Sequence, residues 1–308
     1  MSEKKSATAS VGRNPLMLYL NGDSVYMIGV NIKRHSIIVG ITDLCGKVII
    51  ENKLPITSPD KAFGDIKTTV ENQLKETGLD FSRIYKAAVV TPGPIDSIRG
   101  KILNPPNFIE WHNVCVREEM EKILGCDVSF ENVSSAVALS EKYFGSAKDT
   151  EKFIALQIDE GIGSGIIIND ELFKGACEIG HISIKYDGEL CNCGNRGCLE
   201  KYASIPNLLR GSAFDTWRDC VDEDCSEIML KEAEYLSTAI ITVNNIFNLH
   251  KVILCGEIAY KSEKLISLIS KMICDKILLK ENLEVCSGSV KSQTLIAASV
   301  AIHSFFTE

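Results

Sequence analysis

One imidazole and three thiols fall within eighteen residues of this chain: His181, Cys191, Cys193 and Cys198. The stretch that carries them, residues 175–204, reads GACEIGHISIKYDGELCNCGNRGCLEKYAS. Zinc takes four soft or borderline ligands in a tetrahedron, and one His with three Cys is a usual closed structural set. A Cys-x-Cys pair reaches a single ion only if the backbone turns sharply, and Gly188, Gly194 and Gly197 can take the positive φ that such a turn requires. Free cysteines also serve as small buried apolar residues. Three of them in eight glycine-rich positions, beside a histidine, do not read as core packing. These four side chains are therefore expected to hold a structural Zn2+.

Alternating strands and helices must position them. Residues 26–55 read as three strands rich in β-branched residues, broken at Lys33-Arg34-His35 and at Leu44-Cys45-Gly46. Ser58 and Pro59 open a helix that Gly78 stops. Residues 85–90 form a buried strand ending in the turn cluster Thr91-Pro92-Gly93-Pro94-Ile95-Asp96. A strand and extended loop at 100–107 precede a helix at 116–124, a strand at 128–131 and a helix at 133–144. Residues 153–159 are a strand, and Gly161-Ile162-Gly163-Ser164-Gly165 turns it into another at 166–169. Beyond the cysteine stretch, helices are expected at 206–217, 226–249, 262–274 and 293–306, with a buried strand at 251–255. No sequence repeat is visible, and the alternation gives an α/β protein.

The totals exclude several classes. The 308 residues suffice for two domains with separate cores. No apolar run approaches the ~20 residues of a membrane span, and MSEKKSATAS lacks the apolar region of a secretory signal. The expected location is the cytoplasm, with most of the twelve cysteines as reduced thiols. A net charge of −8 argues against a broad nucleic-acid surface.

The pattern His-x9-Cys-x-Cys-x4-Cys, preceded by Glu178-Ile179-Gly180-His181 and followed by Leu199-Glu200, resembles the zinc signature of the ROK family, which joins bacterial sugar kinases with sugar-responsive transcriptional repressors. The resemblance implies a two-lobed, actin-like (ribonuclease H-like) sugar kinase fold with an inserted zinc loop. It divides the chain into a linker-like segment 1–21, an N-terminal lobe 22–131 joined by a C-terminal helix 291–308, and a C-terminal lobe 132–290 holding the zinc loop 175–204. Gly12, Arg13, Pro15, Leu20 and Asn21 match the segment that joins the winged-helix head of ROK repressors to the sugar-binding body. The expectation is a repressor body whose DNA-binding head is absent, reaching DNA only through such a head. A homodimer is a family expectation.

The resemblance also locates what a kinase needs. The first phosphate cradle of ROK kinases is Asp-x-Gly-Gly-Thr, and here those positions read Asn31-Ile32-Lys33-Arg34-His35. The carboxylate is an amide, both glycines are long cations, and a solvated basic turn is expected. The helix that carries the catalytic base opens Glu-Asn-Asp in the kinases and Glu131-Asn132-Val133 here, so the base position is Val133. Losing a general base typically lowers rate ~10²–10⁴-fold. Gly161, Gly163 and Gly165 retain a second phosphate-type loop, read as a turn kept for structure. The sugar-holding positions persist by resemblance: Asn132, Glu178, His181 and Glu200, with Gly93 in a segment that lines the sugar cleft. His181 serves twice if one ring nitrogen takes zinc and the other faces the ligand. The expected protein is a sugar-sensing regulator body that binds a sugar or sugar phosphate between its lobes and has no use for ATP-Mg2+. The alternatives are an ATP-dependent hexose or N-acetylhexosamine kinase, with Asp159 or Asp96 replacing the base, and a ligand-free dimerisation scaffold.

Overall fold

The chain builds one sheet pattern twice. The computed structural model describes residues 2–5, 16–175, 177–278 and 283–307. One unit runs to Val133 and takes up the chain again at Ser292. It opens with β1 (Ser2–Lys5) antiparallel to β2 (Leu16–Tyr19), a short ladder where the composition predicts a disordered lead-in. Gly12, Arg13 and Pro15 of the linker-like pattern lie outside the described residues. β3 (Tyr26–Ile32), β4 (Ser36–Asp43) and β5 (Val48–Pro55) make an antiparallel meander. α1 (Pro59–Thr77) leads to β6 (Ile84–Thr91), parallel to β3. The pair β7 (Ile95–Asp96) and β8 (Lys101–Ile102), then α2 (Val116–Leu124), precede β9 (Val128–Asn132), parallel to β6.

The other unit spans Ser134–Lys291. α3 (Val133–Tyr143) enters it, followed by the meander β10 (Lys152–Ile158), β11 (Ile162–Ile168) and β12 (Glu171–Leu172). Helices α4 (Glu200–Ala203), α5 (Ile205–Leu208), α6 (Trp217–Asp222) and α7 (Ser226–Phe247) come next. β13 (Lys251–Gly256) runs parallel to β10, and after α8 (Glu263–Ile273) β14 (Glu284–Ser287) runs parallel to β13. The two strand orders, β5-β4-β3-β6-β9 and β12-β11-β10-β13-β14, are the same topology. α9 (Gln293–Thr307) returns to the first sheet. Gly29 and Gly40 let it approach: a Cβ there would lie 2.3 Å from the Thr294 carbonyl and 2.5 Å from Thr294 Oγ1 respectively.

Local chemistry accounts for most element ends. β3 and β4 are buried on both faces, as their near-continuous apolar sequence requires. Gly78, at φ 67°, ends α1. Ser58 makes no side-chain capping bond, so Pro59 and the buried stripe Ala62, Phe63, Ile66 and Val70 set the start of that helix. The helix expected over 206–217 is two short pieces, because Gly211 sits at φ 79° and Thr216 caps α6 by accepting from the Asp219 N–H. The glycine run 161–165 is not a turn. Ile162–Gly165 lie within β11, paired with β10, and the reversal falls at 159–161.

The second core is built around α7, whose Ile228, Ala233, Leu236, Ala239, Ile240 and Val243 are buried. Glu232 lies among them, fully buried, with no partner for either oxygen among the described residues. Burial pushes its carboxyl well above the usual range. The folded state therefore holds it neutral. As pH rises through the unfolded value of ~4.3 the unfolded chain ionises first, so this group's contribution to stability falls with pH until the folded carboxyl also titrates. Glu232→Leu is expected to raise stability at neutral pH by ~1–3 kcal/mol, with a smaller gain at pH 4. Thermal denaturation at the two pH values checks this, and an equal or negative change at both contradicts it.

Candidate functional site

Residues 181–198 close on themselves. His181 Nδ1 and the sulfurs of Cys191, Cys193 and Cys198 lie within 4.8 Å of one another. Nδ1 is 3.7 Å from Cys191 Sγ, and Cys193 Sγ is 3.6 Å from Cys198 Sγ. Zinc–sulfur bonds of ~2.3 Å in a tetrahedron put neighbouring sulfurs ~3.8 Å apart, so the cluster fits a structural zinc. Backbone bonds form the knuckle: Cys191 N–H donates to the Asn195 carbonyl and Gly194 N–H to the Cys191 carbonyl. Gly197 sits at φ 68°, and a Cβ there would fall 1.6 Å from the Lys185 carbonyl. The Asn195 N–H holds the Cys193 thiol below its ordinary value, whereas loss of solvent pushes Cys198 up to about 12. Thiolates this close repel, and a cation among them removes that penalty.

β11 braces the segments that bear both carboxylates flanking the cluster. The Ile162 N–H donates to Glu200 Oε2 at 2.8 Å, which fixes the first residue of α4. A Cβ at Gly161 would lie 2.8 Å from that oxygen, and a Cβ at Gly180 would lie 2.5 Å from the Ile162 carbonyl. Ser164 Oγ donates to the Cys177 carbonyl at 2.5 Å, beside exposed Glu178. Gly163 and Gly165 admit α3, since a Cβ at either would meet Ser134 Oγ at 2.1 Å or the Ser134 carbonyl at 2.5 Å. The pattern expected to be a relic of phosphate binding is thus the floor under Glu178, His181 and Glu200. Sequence reasoning missed Ile162, Ser164 and Gly180; the only signal was the glycine spacing itself.

In the first unit, Gly93 and Asn132 come together: a Cβ on Gly93 would lie 2.6 Å from Asn132 Nδ2. They follow β6 and end β9, neighbouring parallel strands. Val133 begins α3, half-buried. Asn31 is fully buried and its amide donates to Gln293 Oε1 at 3.0 Å. Lys33 and His35 are exposed, whereas Arg34 is half-buried and its Nε donates to the Pro106 carbonyl at 3.2 Å. The turn expected to be wholly solvated therefore has one anchored cation. Both carboxylates considered as substitute bases are engaged. Asp159 accepts from the Glu257 N–H at 2.7 Å and from Gln157 Nε2 at 3.0 Å. Asp96 accepts from the Arg99 N–H, which holds its carboxyl below the usual range.

The duplicated meander-plus-parallel sheet, with a His/Cys loop inserted in its second copy, is the actin-like, two-lobed α/β fold. The chain belongs to the ROK family, whose model matches residues 27–300. It is 26% identical over 334 residues to the xylose repressor of Caldicellulosiruptor bescii, covering 97% of this chain and 83% of the repressor. It is 34% identical over 191 residues to the glucokinase of Thermotoga maritima, covering 60% of this chain and 59% of that enzyme. Its fold matches that of a ROK family transcriptional regulator, a homolog of the E. coli MLC protein, at a TM-score of 0.84 and 24% identity, over 95% of this chain and 82% of that one. Among the described residues no helix is long and apolar enough to cross a membrane.

If Gly161 is the notch that admits Glu200, then Gly161→Ala must displace that carboxylate or the hairpin. A loss of ~1–3 kcal/mol is expected, read by chemical denaturation. A silent Gly161→Ala would contradict the notch.

Proposed function

We propose that this chain is the sensing body of a sugar-responsive regulator, binding a sugar or sugar derivative without phosphorylating it. The observation that carries the reading is Val133 at the first position of α3. Where a sugar kinase of this family needs a proton acceptor, the side chain is aliphatic. The first cradle would be altered independently: the Asn31 amide N–H donates to Gln293 while its Oδ1 has no partner among the described residues, and Lys33 and Arg34 stand where kinases of the family carry glycines that admit phosphates. Phosphoryl transfer is largely positioning plus electrostatics, so losing both elements leaves little to catalyse it.

By resemblance the sugar-holding groups are largely present, although the carboxylate that Val133 replaces would also have been a sugar contact. By the same resemblance, Gly93, Asn132, Glu178, His181 and Glu200 would be the groups that contact a sugar, the carboxylates accepting from neighbouring hydroxyls. His181 would give Nδ1 to a structural Zn2+ and keep Nε2 for the ligand. A ligand that is held differently in two conformations of the chain shifts their balance, and that shift would be passed to a DNA-binding domain or partner. The repressor relatives support this reading. The glucokinase relative favours the second, an ATP-dependent sugar kinase.

A thermal-shift screen of hexoses, pentoses and N-acetylhexosamines, run with ATP-Mg2+ and an ADP readout, separates the two. A ligand at a hundred times its dissociation constant should add ~2.7 kcal/mol, and no ADP should appear. Sugar-dependent ADP release overturns the inactive reading, and the absence of any shift overturns sugar sensing. Val133→Asp alone is expected to remain inactive, because the altered cradle is untouched; measurable turnover by that variant would show that the cradle still works.

A further inference from the structure

Of the four side chains that close the knuckle, Cys193 alone is exposed. Cys191 and Cys198 are buried and His181 is half-buried. The approach to Cys193 is open, since a Cβ on the adjoining Gly194 would meet nothing within 4 Å. The Cys193 sulfur stands 3.6 Å from the Cys198 sulfur, whereas Cys191 Sγ lies against His181 Nδ1 at 3.7 Å. A disulfide bond is ~2.05 Å long, so joining Cys193 to Cys198 asks for about 1.5 Å of movement. Gly194 and Gly197, both at positive φ, lie between the two cysteines and give the turn the freedom to make it. A cysteine that ligates a metal is held as the thiolate, and the thiolate is the nucleophile. An accessible thiolate with a second cysteine beside it is the arrangement that a hydroperoxide oxidises selectively.

We propose that Cys193 is a site of oxidation by hydroperoxides, with Cys198 as its resolving partner, and that oxidation of the pair opens the metal loop. The Cys193 thiolate attacks one peroxide oxygen. The O–O bond breaks, hydroxide leaves, and Cys193 becomes a sulfenic acid. The Cys198 thiolate then attacks that sulfur, the S–O bond breaks, a second hydroxide leaves and the disulfide forms. The two thiolates give up two electrons, the peroxide takes them, and solvent protons turn both hydroxides into water. The new bond withdraws two of the four ligands. His181 and Cys191 alone do not make a closed tetrahedral site, so Zn2+ is released and the His181 ring loses its cross-link. The proximity of the two thiols is independent of the readings above, but the released ion rests on the structural zinc and the effect on sugar rests on the sensor.

The test is a titration of the reduced, zinc-loaded full chain with hydrogen peroxide, up to the dose that oxidises the other exposed cysteines, Cys45, Cys115 and Cys274. Peptide mass spectrometry should find Cys193 joined to Cys198, and a chromogenic chelator should find one Zn2+ freed for each such bond. A dithiol reductant with added Zn2+ should reverse both changes. Cys193→His keeps a zinc ligand but removes the nucleophile, and should hold its metal at the same dose; the disulfide map of the native chain keeps the test independent of that variant. Zinc retained by the native chain at that dose, or zinc released without a bond between Cys193 and Cys198, overturns the proposal. Sugar affinity is read on the same samples and should be lost on oxidation and regained on reduction. Unchanged affinity in the disulfide form overturns the link to sensing. A reduced, zinc-loaded chain that binds no sugar ends the sensor reading instead, and the mass and zinc measurements still decide the switch. A reduced chain that takes up no zinc overturns the metal loop and this inference with it.

Discussion

Four ligand atoms held within 4.8 Å set the local geometry on which the rest of the second unit's candidate site depends. In the loop from His181 to Cys198, Ile182 and Ile184 pack against the second core, but Tyr186 and Leu190 are exposed, and Gly194 and Gly197 take backbone conformations that other residues resist. Its exposed half has little burial to hold one shape, and the three thiols and one imidazole are placed where a metal could cross-link it. Structural zinc in small peptides binds with an apparent ~10–16 kcal/mol, far more than the hydrogen bonds of the knuckle provide. Glu178 and Glu200 stand just outside the two ends of that closed loop, so whatever closes it also spaces them.

β11 is the other half of the arrangement. Its backbone serves Glu200 through the Ile162 N–H, Gly180 through the Ile162 carbonyl, and the segment before Glu178 through Ser164. The glycines between them admit α3, whose Ser134 would clash with a Cβ at Gly163 or Gly165. A pattern associated with nucleotide phosphates can thus be retained for packing alone.

Much of this was legible in the sequence, for identifiable reasons. The cysteine cluster was readable because its spacing and glycines have little other use. The meander Tyr26–Pro55 and the long helices were readable because each has a run long enough to display its period. β12 and β14 were not, being two and four residues long. The repeated sheet order was invisible because it is a property of connection and pairing, with no residue pattern in common. The glycine run was misread as a turn because glycine marks both turns and close approaches, and only the neighbours in space distinguish them. Asn31 was expected to be an altered cradle position; its bond to Gln293 spans 262 positions, and no local pattern could reveal it.

The central claim is that a metal-closed loop holds the sugar groups of a non-catalytic sensor. Its most direct test is the zinc content of the purified chain together with its affinity for a sugar ligand before chelation, after chelation and after zinc is restored. The account predicts one zinc per chain, loss of sugar binding when it is removed and recovery when it returns. Undiminished sugar binding by the zinc-free protein would contradict it.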